Sequence, residues 1–304
     1  ITNSEGAGAA WGRGTTALVT SHGFAGSYSS TSFSLSCSVV AGTGENMERD
    51  YASHSARHFE DLDTPETIGT RTGERTLARL NPRKLESMKM PVVYDTRVSA
   101  SLLGHLSAAI SGSAIARGTS FLRDAMGTQI MSAGLNVIDE PHRRRGLRSA
   151  AFDGEGLSPE TLKLVEDGVL QSWLLDSTTA RQLELESNAR AARGVGGPPS
   201  PSATNLYLAA GTQDVAGILG DVGEGFFVTE LIGMGVNGAT GDYSRGASGF
   251  RIENGELTYP VSEVTIAGNL RDMFGHMTPA DDLTFRRGVN APTVLVEGMT
   301  LAGL

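Results

Sequence analysis

The chain has 304 residues, enough for one large domain or two ordinary ones with a proper apolar core. Charged residues make up 19% and hydrophobic residues 39%, which excludes a disordered chain. The net charge of -9 argues against a nucleic-acid partner, and the single cysteine, Cys37, excludes an intrachain disulfide or a cysteine-based zinc site.

The 39 glycines point to many tight turns and short strands, hence to a β-rich or mixed fold. Thr15 to Thr20 and Ser32 to Val40 read as strands, with Cys37 as a small core residue of the second. Met47 to Leu62 carries a more helical pattern. Thr64-Pro65-Glu66 starts a helix: a capping hydroxyl, proline in the first turn, then an acid at the positive end of the dipole. That helix should stop before Pro82, and residues 81–89 read as a linker.

Met90 to Tyr94 is a short buried strand. In the adjoining segment, Val98, Leu102, Leu106 and Ile110 fall four apart and draw one helix face. Further on, the spacing predicts a strand over 169–175, a helix over 177–183 and a strand over 204–209. A flexible loop is expected over 194–203, GVGGPPSPSA. A helix over 213–220, a strand over 226–232 and a hairpin turning at Asn254-Gly255 come next. Thr265 to Phe274 reads as a closing helix and Thr293 to Val296 as a last strand. Trp11 and Trp173 are expected to be packing residues.

Motifs that carry chemistry are few. GMGVNG (233–238) matches a dinucleotide fingerprint in letters, but ATGDYSRGASG behind it is poor helix material, so it reads as a turn-rich loop. Ser244 and Ser248 do not sit in a nucleophile elbow. His54 and His58, in HSARH, lie four apart and share a face if the segment is helical, a spacing that can grip zinc with Glu60 or Asp61. The glutamate of H-E-x-x-H is missing, so two surface histidines are the plainer expectation. Asp153 and Glu155 read as a carboxylate-rich turn. The run His142 to Arg145, with Arg148, reads as a solvated loop.

The segment 235–274 closely resembles the TldD/PmbA family: TGDYSRGASGF, IENGE, YPVSE and TIAGNL succeed one another at the family's spacing. Further stretches are similar to its PmbA branch, also called TldE: ITNSEG (1–6), MERDYA (47–52), LNPRKLESMKMPVV (80–93), FDGEGL (152–157) and VEDGVLQSWLLDSTTARQL (165–183). The resemblance implies an α+β, antiparallel β-rich fold with a middle section over 1–85 and a C-terminal β-rich domain over 86–304. The chain opens on Ile1 and matches no first portion of the family, so an N-terminal segment is expected to be absent.

The resemblance also implies a metalloprotease assembly acting on unfolded or small peptides, including peptide-antibiotic maturation. A TldD-type partner supplies a zinc-binding HExxxH helix. Here the matching helix is SLLGHLSAAISG (101–112), where Gly104, His105 and Ala109 replace the first histidine, the glutamate and the second histidine. The third ligand, a cysteine near the C-terminus, has no counterpart in 290–303. We therefore expect a non-catalytic subunit with no cofactor of its own, zinc in the TldD-type partner, and a cytoplasmic location without membrane contact. Thr240, Gly241, Asp242, Tyr243, Ser244, Arg245 and Gly246 are candidates for a peptide groove. Asp242 and Arg245 either orient substrate ends or form a buried structural ion pair. The alternatives are a stand-alone metal peptidase built on His54 and His58, and a peptide-binding homodimer.

Overall fold

The computed structural model describes residues 1–303, with only the backbone of Glu45; residue 304 of the expected C-terminal section lies outside them. The chain runs through β1 (Asn3–Val19), β2 (Ala25–Ala41), β3 (Glu48–Ala56), α1 (Pro65–Ala78), β4 (Met88–Tyr94), α2 (Thr96–Ala109) and α3 (Gly112–Ala116). Short elements come after them: β5 (Val137–Asp139), β6 (Leu162–Glu166), β7 (Val169–Leu170), α4 (Ser177–Gln182), β8 (Ala191–Ala192), β9 (Ser200–Pro201) and β10 (Leu206–Leu208). The last part comprises α5 (Val215–Val222), β11 (Gly225–Ile232), β12 (Asp242–Glu253), β13 (Glu256–Asn269), α6 (Leu270–Gly275), β14 (Met277–Pro279), β15 (Val289–Asn290) and β16 (Val294–Ala302). The architecture is α+β with a β-rich core.

The first three strands form their own antiparallel sheet in the order β1-β2-β3. On β1, Trp11 is 76% exposed, so it is not the packing residue the sequence suggested; Trp173, at 6%, is one. Cys37 on β2 is half-buried rather than core. Helix α1 covers β2 and β3. The Thr64 hydroxyl caps it by accepting from the Thr67 N–H (3.2 Å), and its inward face is Ile68, Thr72 and Thr76. The two buried hydroxyls are satisfied by donating to the carbonyls four residues back, Thr72 to Ile68 (2.7 Å) and Thr76 to Thr72 (2.8 Å).

Residues 48–56 are a strand, not the helix expected over 47–62. Their burial alternates, with Asp50, Ala52 and Ala56 inward. The period of two is hidden in the sequence because two inward positions are small and one is charged.

Six strands form the main sheet in the order β13-β12-β11-β4-β16-β14, and β13 also pairs with β16, so the sheet closes on itself. The hairpin between β12 and β13 turns at Asn254 (φ 53°) and Gly255 (φ 79°), the two positive φ angles a two-residue turn needs. Thr265 to Asn269 continue β13 instead of opening a helix. Val261, Val264 and Ile266 are buried there, and α6 begins only at Leu270, capped by Asn269. Of residues 169–175 only Val169–Leu170 pair as a strand; Trp173, Leu174 and Leu175 are buried without one. The loop within 194–203 links β8 to β9, which pair across it.

Helix α2 packs against the main sheet. Asp95 caps it by accepting from the Arg97 N–H (2.7 Å), and Leu102, Leu103, Leu106 and Ala109 form its buried face. Ile110 is fully buried and Val98 packs on the same cluster, so the face drawn from the spacing of four is the observed one. This helix and the start of β12 carry most of the residues singled out above.

Candidate functional site

The loop before β12 is built from turn chemistry. The Asn237 side chain accepts from the Ala239 N–H (3.0 Å) and Gly241 takes φ 85°. Along β12 the side chains then alternate. Thr240, Asp242 and Ser244 are exposed, whereas Tyr243 is 2% exposed and points into the core. The Asp242 carboxylate accepts from the Thr240 hydroxyl (2.6 Å) and from Asn269 Nδ2 (3.1 Å). Those two hydrogen bonds hold its pKa below the usual carboxylate range.

Arg245 donates to the Ile232 carbonyl (3.3 Å) and has no carboxylate partner among the described residues. The buried Asp242–Arg245 ion pair considered from the sequence is therefore not formed. Gly246 lies against Ile232, whose Cβ would stand 3.3 Å from an added methyl.

Helix α2 places its replaced positions differently. Gly104 is exposed with open space around it, Ala109 is buried, and His105 projects inward with a buried Nε2 that has no hydrogen-bond partner. The His105 ring meets Tyr243 edge-on at 5.8 Å between centroids. Tyr243 in turn accepts from the Tyr94 hydroxyl at 3.4 Å. Burial, and then the Arg245 charge, lower the His105 pKa; burial raises both tyrosines. The neutral imidazole is thus the form this pocket favours.

An open cavity of about 490 Å³ joins these elements. It is lined by Arg97, Val98, Ala100 and Ser101 of α2, by Thr229 to Leu231 of β11 and by Arg245 of β12. So the structure brings Arg245 and the outer face of α2 together, while Tyr243 and His105 lie beneath.

His54 and His58 do not combine into a site. His54 sits on the inner face of β3, where its Nδ1 accepts from the Asp63 N–H (3.0 Å). Burial, then the Arg286 charge, lowers its pKa despite the carboxylate of Asp63. His58 lies beyond the strand end, exposed beside Glu60. Four residues of extended chain span roughly 13 Å, too far for one ion. The spacing of four had meaning only on a helix.

Asp153 and Glu155 are structural. Asp153 accepts from the N–H groups of Glu155 and Leu157 (both 2.9 Å), and Glu155 holds the N–H and hydroxyl of Ser177. The GMGVNG loop leads into β12 with no helix behind it.

Two family models match consecutive parts of the chain: the PmbA/TldA metallopeptidase central domain over residues 1–80, and its C-terminal domain over residues 87–303. The chain belongs to the PmbA/TldA metallopeptidase family. It is 43% identical over 304 residues to the metalloprotease PmbA of Escherichia coli O157:H7, covering 100% of this chain and 66% of that protein. Against the PmbA homolog of Haemophilus influenzae the identity is 38%, with the same coverage. The chain thus spans just under two thirds of the length of these relatives, and they place it in the PmbA branch. Among solved structures, a Bacteroides thetaiotaomicron protein named as a candidate modulator of DNA gyrase aligns with a TM-score of 0.89 at 30% identity, over 100% of this chain and 68% of that one. TldE from Thermococcus kodakarensis shares the fold, with a TM-score of 0.85 at 21% identity over 98% of this chain and 68% of that one.

A metallopeptidase family implies a bound metal. The donors present do not fit one: at the helix positions in question a single imidazole stands between a glycine and an alanine. No group of three or more His, Cys, Asp or Glu side chains converges among the described residues. No helix among the described residues is long and apolar enough to cross a membrane.

The sequence reading singled out Arg245 and Arg148 but missed Arg97 and Arg287, which line the same cavity. Arg97, Arg148, Arg245 and Arg287 come from four separate segments, and no local motif joins them.

Proposed function

We propose that this chain is the non-catalytic, substrate-facing subunit of a heteromeric cytoplasmic metalloprotease that cleaves unfolded or small peptides. The zinc-binding helix belongs to a TldD-type partner. One observation carries the reading: α2, which the sequence resemblance aligns with a metal-binding helix, presents Gly104, an inward His105 with its Nε2 buried, and a buried Ala109. A chain with one inward imidazole lacks the three ligands and the open position that a hydrolytic zinc requires. What α2 and β12 retain is a cavity lined by Arg97, Ser101 and Arg245, while the exposed Asp242 and Ser244 lie on the other face of β12. Backbone and polar groups of that kind suit an extended peptide of varied sequence.

The test is reconstitution. The chain and a TldD-type subunit are purified apart, their zinc content is measured after dialysis against a weak chelator, and each is assayed alone and mixed against an unfolded peptide. We expect near-zero zinc in this chain, co-elution on gel filtration, and cleavage only in the mixture. Cleavage by this chain alone with one zinc bound overturns the reading. Failure to co-elute, with a homodimer that binds peptide uncleaved, overturns the heteromeric part.

A further inference from the structure

Beside the cavity just described lies a second one of about 270 Å³, between β3, α1 and the segment 284–291. Five guanidinium groups line it, from Arg71, Arg75, Arg97, Arg286 and Arg287, and no carboxylate does. A third cavity of about 330 Å³ continues from it past Arg57 and Arg143 to Arg145, with Asp61 as its one acidic residue. The three cavities share walls: Arg287 lines all of them. In a chain of net charge -9, this seam is an isolated basic strip.

The arginines are held in place. Asn290, 5% exposed, accepts from the N–H groups of Arg286 (3.0 Å) and Arg287 (2.9 Å) and donates to the Arg287 carbonyl (2.7 Å). Arg287 donates to the Arg97 carbonyl (2.8 Å), and Arg143 stacks on the Phe285 ring at 3.1 Å. Residues 142–145 are therefore not simply a solvated loop. Arg145 pairs with Asp61 (2.6 Å), and Arg57 donates to the carbonyls of Gly146 and Leu147.

Part of this charge is neutralised within the protein. Asp63 accepts from Arg71 (2.8 Å) and Arg286 (2.7 Å), and Asp50 holds Arg97. Arg75 and Arg287 have no carboxylate partner among the described residues, although Arg75 is half-buried and lies near Arg97. Burial, then the Arg97 charge, lowers its pKa, with Asp95 and Asp50 offsetting only part. A half-buried guanidinium without an anion costs free energy that a bound oxyanion would recover.

We propose that this seam binds an acidic peptide segment, its carboxylates seated against Arg75 and Arg287. A cavity of this size takes one acidic side chain and falls below the span of ordinary small-molecule pockets. Three joined cavities take an extended chain. The edge strand β3 lies along the seam through Tyr51, Ser53 and Ser55 and offers main-chain groups to it. A nucleic acid is disfavoured by the chain's net charge of -9, which repels phosphates. As a substrate preference, the proposal rests on the peptide-handling reading above; as binding, it is tested on this chain alone, so each fails separately.

The experiment is fluorescence anisotropy with a labelled, unstructured decapeptide alternating Glu and Gly, against its Gln/Gly counterpart, at low and high salt. We expect the Glu peptide to bind at least tenfold tighter than the Gln peptide, with the difference shrinking in high salt. Arg75→Gln and Arg287→Gln should each lose roughly three- to tenfold in affinity for the Glu peptide and leave the Gln peptide unchanged. Arg123→Gln, at a remote exposed pair, should change neither. Arg287 is exposed, so its variant reports even if Arg75→Gln fails to fold. Equal affinity for the two peptides overturns the proposal. So does tighter binding of a ten-nucleotide single strand, or complete displacement of the peptide by millimolar inorganic phosphate.

Discussion

Asp50→Asn tests the clasp between the N-terminal sheet and the closed sheet. The Asp50 carboxylate, 2% exposed, accepts from Arg97 Nη1 (3.0 Å) and Nη2 (2.5 Å) and from the Tyr51 N–H (2.7 Å). Arg79 stands 3.8 Å away and reaches on to Glu230 of β11 at 2.5 Å. An asparagine keeps one acceptor but turns an amide toward a guanidinium. Removing one partner of a buried pair costs about 3–5 kcal/mol. Because Arg79 retains Glu48 and Glu230, the lower figure applies, about 3 kcal/mol. That corresponds to a fall in Tm of about 5 °C for a chain of this length. Burial alone would raise the Asp50 pKa, but the Arg97 hydrogen bonds and charge outweigh it and the net shift is downward. A depressed carboxyl contributes stability that is present above the unfolded pKa, near 3.9, and is lost as pH falls through the folded value. Urea denaturation of both proteins should therefore show the full gap at pH 5 to 7 and a shrinking one below about pH 4. A loss under about 1 kcal/mol at pH 7, or a gap that widens toward pH 3, would refute this account.

Leu106→Ala empties a fully buried position on α2 and should cost about 3 kcal/mol, read as a lower urea midpoint at unchanged slope. Gly255→Ala places a methyl at φ 79°, 2.9 Å from the Gly220 Cα, and should cost about 1–2 kcal/mol; an unchanged Tm would mean that the turn takes another form. His105→Gln should flatten the pH dependence of stability. The folded imidazole has a lowered pKa, so the wild type loses stability as pH falls below about 6.5, where the unfolded chain takes up a proton that the folded one refuses. His54 adds to the same slope, so part of it should remain in the variant; a slope identical to wild type would show that His105 is solvated.

Local chemistry was legible in the sequence wherever a few adjacent residues decide the outcome. Thr64-Pro65 started α1, the spacing of four along 98–110 drew the buried face of α2, and Asn254-Gly255 turned the hairpin. Pattern failed where the inward side chains were not apolar. On β3 those positions hold Asp50 and Ala52, and at the end of β13 the strand ran straight into a capped helix. The site was half legible. The resemblance located α2 and the start of β12, but not that Arg245 lines a cavity while Tyr243, on the same face of the strand, is buried in the core. The arginine seam was out of reach, since Arg75, Arg97 and Arg287 meet only through long-range packing that no spacing encodes.

Strand β1 leaves a last consequence. It pairs with β2 from Asn3 to Val19, yet none of its side chains is buried. The ladder is held by main-chain bonds with no apolar anchor, so it can unzip without disturbing the closed sheet. Amide hydrogens along β1 should then exchange through shallow local opening, while those of β4 and β11 wait for global unfolding. In this chain, resistance to denaturant and protection from solvent exchange are separate quantities, and a single melting temperature describes only the first.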